Sequence, residues 1–108
     1  MKRYKIFDSI SKAEATIDEA KSVKVIIGQV TICLSRYKGK FYAHEHNCPH
    51  QFESLAKGTI NYLGEIICPL HSYRYDLKTG RECQMKTRDM ITYPVEIDNE
   101  GLFVQLAN

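Results

Sequence analysis

Two short segments carry the residues that could do chemistry: Cys48-Pro49-His50 and Cys68-Pro69-Leu70-His71. They are spaced as C-x-H and C-x2-H, with 17 residues between His50 and Cys68. Proline-containing turns can aim two side chains at one point without a helix, and the intervening chain is long enough to fold back and bring the pairs together. Two thiolates and two imidazoles would then converge as a four-donor metal centre. Such a set can serve a structural zinc ion or an iron-sulfur group. Zinc sites favour C-x2-4-C with H-x3-5-H, and a mixed C-x-H pair is rare among them, so the spacing argues for iron and sulfide.

The remaining cysteines and histidines have plainer expectations. Cys33 lies between Ile32 and Leu34 and reads as a small buried thiol in a strand, while Cys83, in Arg81-Glu82-Cys83-Gln84, reads as an exposed or half-buried thiol. His44 and His46 flank the first pair and read as solvated loop histidines, although His46 with Cys48 would make a rival ligand register.

The elements that must hold these segments are mostly strands. Val23, Val25 and Ile27 share one face, Val30, Ile32 and Leu34 share the next, and Gly28-Gln29 joins them as a tight turn. A second hairpin turns through Tyr37-Lys38-Gly39-Lys40 into Phe41-Tyr42-Ala43. Within Ser9 to Lys21 lies the one helical candidate, a short one with Ser11 and Glu14 set as a capping box, and the alternative is an irregular connection between a first strand around Tyr4–Phe7 and the strand from Val23. Beyond residue 44 the pattern breaks into loops with strand-like pieces at 65–68 and 73–75 and a turn over 76–80. A strand over 91–97, a turn at 98–101 and a strand over 102–106 form a closing hairpin. About seven or eight short strands predict an all-β fold, a small antiparallel sandwich or barrel.

The 108 residues with a hydrophobic fraction of 44% predict one domain spanning 1–108, with a cluster-binding part at about 44–76. No room remains for a mononuclear-iron or flavin domain, so no small-molecule substrate is expected to bind directly. Fifteen basic and 13 acidic residues are interspersed, giving a formal charge of +2. That distribution argues against nucleic-acid binding, which needs a clustered basic patch. The N-terminal MKRYKIFDSI has no apolar signal stretch and no run approaches ~18 apolar residues, so a cytoplasmic, non-membrane protein with reduced thiols is expected.

The chain resembles the Rieske iron-sulfur family on more than its ligand spacing. Leu55, Gly58, Tyr75-Asp76, Thr79-Gly80 and Tyr93-Pro94-Val95 stand where that family carries a leucine, a glycine, an aromatic-Asp pair, Thr-Gly and Tyr-Pro-Val. The resemblance covers about residues 4–106. It implies a 2Fe-2S cluster in which Cys48 and Cys68 ligate one iron and His50 and His71 the other. It further implies a one-electron carrier, a ferredoxin like those of aromatic-ring dioxygenases, working between a reductase and an oxygenase or other redox protein and doing no catalysis itself. The alternatives are the small subunit of a nitrite-reductase-like complex and, from a different class, a zinc-stabilised binding module.

Departures from the pattern bear on the potential. High-potential members carry two further cysteines, joined as a disulfide, where this chain has Glu53 and Leu70, and Tyr73 stands where they place a serine hydroxyl. Both changes imply a low potential for the family, whereas the Tyr75 hydroxyl, where many ferredoxins have Phe, could donate to a ligand thiolate and raise it. Ser72 replaces the glycine that usually follows the second histidine, which leaves the angle of that loop open.

Overall fold

The structure is a computed structural model describing residues 2–49, 53–70 and 72–107. Ten strands occur among the described residues: β1 (Lys2–Phe7), β2 (Ser22–Ile27), β3 (Val30–Tyr37), β4 (Lys40–Glu45), β5 (Thr59–Ile60), β6 (Glu65–Ile67), β7 (Arg74–Asp76), β8 (Thr92–Tyr93), β9 (Val95–Asp98) and β10 (Gly101–Leu106). They form three antiparallel sheets, ordered β1-β10-β9, β2-β3-β4-β8 and β5-β6-β7, and close no barrel. The expected all-β class holds, with the first and last strands paired as neighbours.

Both predicted hairpins form with two-residue turns. Ile27 pairs with Val30 across Gly28-Gln29, and Tyr37 pairs with Lys40 across Lys38-Gly39. Lys38 and Gly39 both have positive φ (52° and 77°), the type I′ pattern whose twist suits antiparallel strands. The Glu19 carboxylate accepts from both turn amides, which holds its pKa below the usual carboxylate value.

The helix α1 (Ile10–Thr16) is short and lies within the span that the sequence suggests. Its cap is Ser9, whose hydroxyl accepts from Lys12 N at 3.1 Å, and Ser11 takes no part in capping. Ala13 and Ile17, one turn apart, face inward, and the Arg36 guanidinium on β3 donates to the carbonyls of Glu14 and Ile17 at the helix end.

Period-two alternation gives β3 and β4 two different buried faces. Ile32, Leu34, Phe41 and Ala43 pack with Leu102, Val104 and Leu106 of β10, making a core between the first two sheets. Each fully buried aliphatic side chain there is worth about 1.5–3 kcal/mol. The opposite face carries Cys33, Ser35, Tyr37, Tyr42 and His44. Tyr37 and Tyr42 pack against a second cluster of Cys48, Leu55, Ile66, Cys68, Tyr75, Leu77 and Met90. The 3-10 turn Leu55–Lys57 seats this lobe against β2 and β3.

The segment expected as one strand over 91–97 is two strands. β8 pairs with β4 (Ala43 with Tyr93, His44 with Thr92), and β9 pairs with β10. Pro94, which has no N–H to give to a ladder, stands at the switch between sheets, and its carbonyl accepts from Gln105 N.

Candidate metal centre

Cys48 and Cys68 end up in one hydrophobic cluster, 2% and 0% exposed. Matching closures place them there: Cys48 N donates to Glu53 O at 2.9 Å, and Cys68 N donates to Tyr73 O at 2.8 Å. Each Cys-Pro loop therefore returns to its own cysteine five residues on. The second loop connects β6 to β7, which pair antiparallel, and an isolated bridge between Asn47 and Ser54 braces the first. His50 and His71, the expected imidazole ligands, lie outside the described residues.

Two glycines of the sequence pattern have steric reasons. A Cβ on Gly58 would stand 2.2 Å from Ile67 O, beside Cys68 in sequence, so only hydrogen fits where the 3-10 turn meets β6. Gly80 has φ +81° and a Cβ there would meet Met90 O at 1.9 Å, while Met90 N donates to Gly80 O at 2.7 Å. That contact brings Met90 back into the lobe. Ser72 keeps the glycine-like conformation of the position it fills, with φ +60°, and Ser72 N donates to Cys68 O at 3.0 Å.

Tyr75, fully buried, lies with its hydroxyl 3.4 Å from Cys48 Sγ and with both thiols in its surroundings. Burial raises its pKa, and the Cys48 hydrogen bond adds to the rise, so the phenol stays protonated and able to donate. Beside it, Thr87 Oγ1 lies 3.3 Å from the Tyr75 oxygen and 2.9 Å from Arg88 O. Arg88 makes a bidentate pair with Glu45 (2.7 and 2.9 Å), and Glu45 also accepts from Ile91 N at 2.8 Å. Thr87, Arg88 and Glu45 belong to no motif, and no signal in the sequence singles them out.

The flanking histidines correct the sequence expectation. His44 is on β4 and fully buried, with Nδ1 2.9 Å from Glu45 O and Nε2 2.8 Å from Ser35 Oγ, which in turn lies 2.6 Å from Ser22 Oγ. A carbonyl only accepts, so Nδ1 carries the proton and Nε2 accepts from Ser35. Burial lowers the His44 pKa to about 4. His46 is half-buried and has both ring nitrogens engaged, Nε2 with Ser54 Oγ at 2.8 Å and Nδ1 with Asn47 Oδ1 at 3.2 Å. Cys33 is buried as expected, its thiol pushed up to about 12, and Cys83 is exposed.

Glu53 does not present a bare charge. Its carboxylate accepts from Ser54 N at 2.9 Å and lies 3.9 Å from Lys57 Nζ. Leu70 is about half exposed.

The described half of the expected donor set, Cys48 and Cys68, suits an iron-sulfur group. It offers two dry thiols held by matched loops, a phenol placed to donate to one of them, and no disulfide at any of the four cysteines.

Comparison with known proteins agrees. The model of the Rieske [2Fe-2S] domain matches residues 9–94. The chain is 31% identical over 93 residues to the 3-phenylpropionate/cinnamic acid dioxygenase ferredoxin subunit of Shigella boydii serotype 4, covering 85% of this chain and 87% of that one. Among solved structures, the complex of reduced oxygenase and oxidized ferredoxin in carbazole 1,9a-dioxygenase superposes with a TM-score of 0.78 at 23% identity, over 94% of this chain and 91% of that one. A Mycobacterium tuberculosis protein described as an NADH-dependent nitrite reductase small subunit superposes with a TM-score of 0.80 at 14% identity, over 100% of both chains. The chain belongs to the Rieske [2Fe-2S] domain family, and its cofactor is one Rieske 2Fe-2S cluster.

Proposed function

We propose that this chain is the ferredoxin component of a dioxygenase-type system, taking single electrons from a reductase and delivering them to a terminal oxygenase, with Cys48, His50, Cys68 and His71 as the cluster ligands. The observation that carries the reading is the pair of buried thiols on matched loops, joined to the 31% identity with a dioxygenase ferredoxin subunit. When bound, the cluster supplies reversible one-electron transfer. The protein's own contribution is to keep Cys48 and Cys68 away from water, to fix their loops through the Glu53 and Tyr73 carbonyls, and to set a phenol against one sulfur.

The chain acts as a carrier and not as the seat of substrate chemistry. It works as one unit whose cluster-binding part is about residues 44–76, in the cytoplasm, without nucleic-acid or membrane partners. No helix among the described residues is long and apolar enough to cross a membrane. A second reading, the small subunit of a nitrite-reductase-like complex, is favoured by the superposition over 100% of both chains, which at 14% identity is a likeness of fold.

The test is a reconstituted chain of transfer. NADH and a flavin-containing ferredoxin reductase should bleach the purified protein by one electron per chain, and a terminal oxygenase component should restore the colour. Stoichiometric zinc without acid-labile sulfide would defeat both readings. Constant co-purification with one large subunit, with no exchange of partners, would favour the second.

A further inference from the structure

The Tyr75 hydroxyl sits between two groups, 3.4 Å from Cys48 Sγ and 3.3 Å from Thr87 Oγ1. A ligand thiolate has no proton, so Tyr75 must donate to Cys48, and its oxygen lone pairs are left to accept. Thr87 has one proton and two acceptors within reach, the Tyr75 oxygen and Arg88 O at 2.9 Å. The first choice makes a directed chain ending on a cluster ligand; the second makes a local turn contact.

We propose that Thr87 is a positioning residue for the electron-transfer centre, donating to Tyr75 so that the relay from half-buried Thr87 through buried Tyr75 to Cys48 draws charge from the ligand sulfur. Hydrogen bonds in series polarise one another, each strengthening the next by roughly 10–30% in a medium of low dielectric. Tyr75 is fully buried, so water does not compete for its oxygen. Reduction adds negative charge to the cluster and its sulfurs, so a stronger donor at Cys48 favours the reduced form and raises the potential.

The flanking structure fixes Thr87 in place. Arg88 is held by the bidentate pair with Glu45, and Glu45 also accepts from Ile91 N, so residues 87–91 are clamped onto β4 across 43 positions of sequence. The ion pair is neutral as a unit. Its contribution to the relay is therefore geometric, carried by the hydroxyl that precedes it.

The inference rests on Cys48 as a ligand, and the test separates the two claims. Protein-film voltammetry on cluster-loaded wild type, Y75F, T87V, T87S and the double variant Y75F/T87V reads the potential of each, with iron and labile sulfide measured to show equal loading. T87V keeps the shape of threonine and should shift the potential negative by at least about a tenth of the Y75F shift. T87S keeps the hydroxyl and should match wild type. In the Y75F background T87V should add nothing, because the relay is already cut. A Y75F shift with T87V equal to wild type, or with the two shifts additive, overturns the relay while leaving Cys48 ligation intact. No shift in Y75F overturns the relay alone, since Cys48 ligation is read separately by whether C48A still loads iron and labile sulfide. If T87V loads poorly, T87A against T87S makes the same comparison.

Discussion

His44 Nε2 and Ser35 Oγ meet 2.8 Å apart on the face of β3 and β4 that carries the metal lobe, with Nδ1 occupied by Glu45 O. The ring is buried in its neutral form, and its pKa falls from 6.5 to about 4. Below pH 6.5 the unfolded chain takes up a proton that the folded chain refuses. Stability from this group is thus complete above pH 6.5 and is lost as pH falls towards 4, by about 3 kcal/mol in total. Glu19 and Asp98 act lower: their pKa values are depressed by backbone donors, so their contributions fade only below about pH 4.5. Thermal midpoints of loaded protein between pH 7 and 5 should drop in wild type and change much less in H44Q. Parallel pH profiles would remove His44 as the cause.

Ligand removal should be selective. C48A and H71A should lose the visible spectrum and the labile sulfide, because a centre missing one donor sheds its metal and the loops it organises. C33S and C83S should keep both. Loss of colour in C83S with retention in C68S would reverse the ligand assignment.

Ser72 sits at φ +60°, where an L-residue costs about 1–2 kcal/mol and a β-branched one costs more. S72G should therefore match or exceed wild-type stability by up to about 1 kcal/mol, and S72V should lose about 1–2 kcal/mol. Chemical denaturation followed by the cluster absorbance measures both. Equal stability of S72V and wild type would mean that the loop adopts another angle.

Gly80 tolerates no side chain on two counts, its φ of +81° and the Met90 carbonyl 1.9 Å from a Cβ. G80A should destabilise by more than about 2 kcal/mol and increase amide exchange at Met90, whose N–H donates to Gly80 O. Unchanged exchange at Met90 would contradict it.

The potential should lie at the low end of the Rieske range, on the order of −150 to −50 mV, since Glu53 and Leu70 replace the disulfide cysteines of high-potential members and Tyr73 replaces their serine hydroxyl. The pairing of Glu53 with Lys57 and Ser54 N reduces the negative field that a bare carboxylate would add. The potential should be flat near neutral pH and fall in alkaline solution as the ligand imidazoles lose protons, since oxidised iron favours that loss. Voltammetry across pH checks both, and a value above about +100 mV at pH 7 would contradict the first.

Local chemistry made much of this legible. Two-residue turns announced both early hairpins, and the C-x-H and C-x2-H spacing announced the centre. What escaped depends on contacts distant in sequence. His44 looks like a polar residue near a loop until β3 pairs beside it and brings Ser35 to its ring, and Pro94 looks like an interruption in one strand until β4 and β10 claim its two sides. The Ser9 cap escaped because Ser11 offered the better motif three residues before a glutamate.

The pairing of β8 with β4 puts the exit and the return of the metal lobe on adjacent strands. Residues 46–91 are thus a closed excursion from a single point of the sheet, and closing a long excursion costs little more than closing a short one. The two-sheet sandwich can accordingly persist as a scaffold while the excursion melts. A demetallated molecule would then resemble a structured base bearing one large loop, cut readily by proteases within the loop and resistant in β1–β4 and β9–β10.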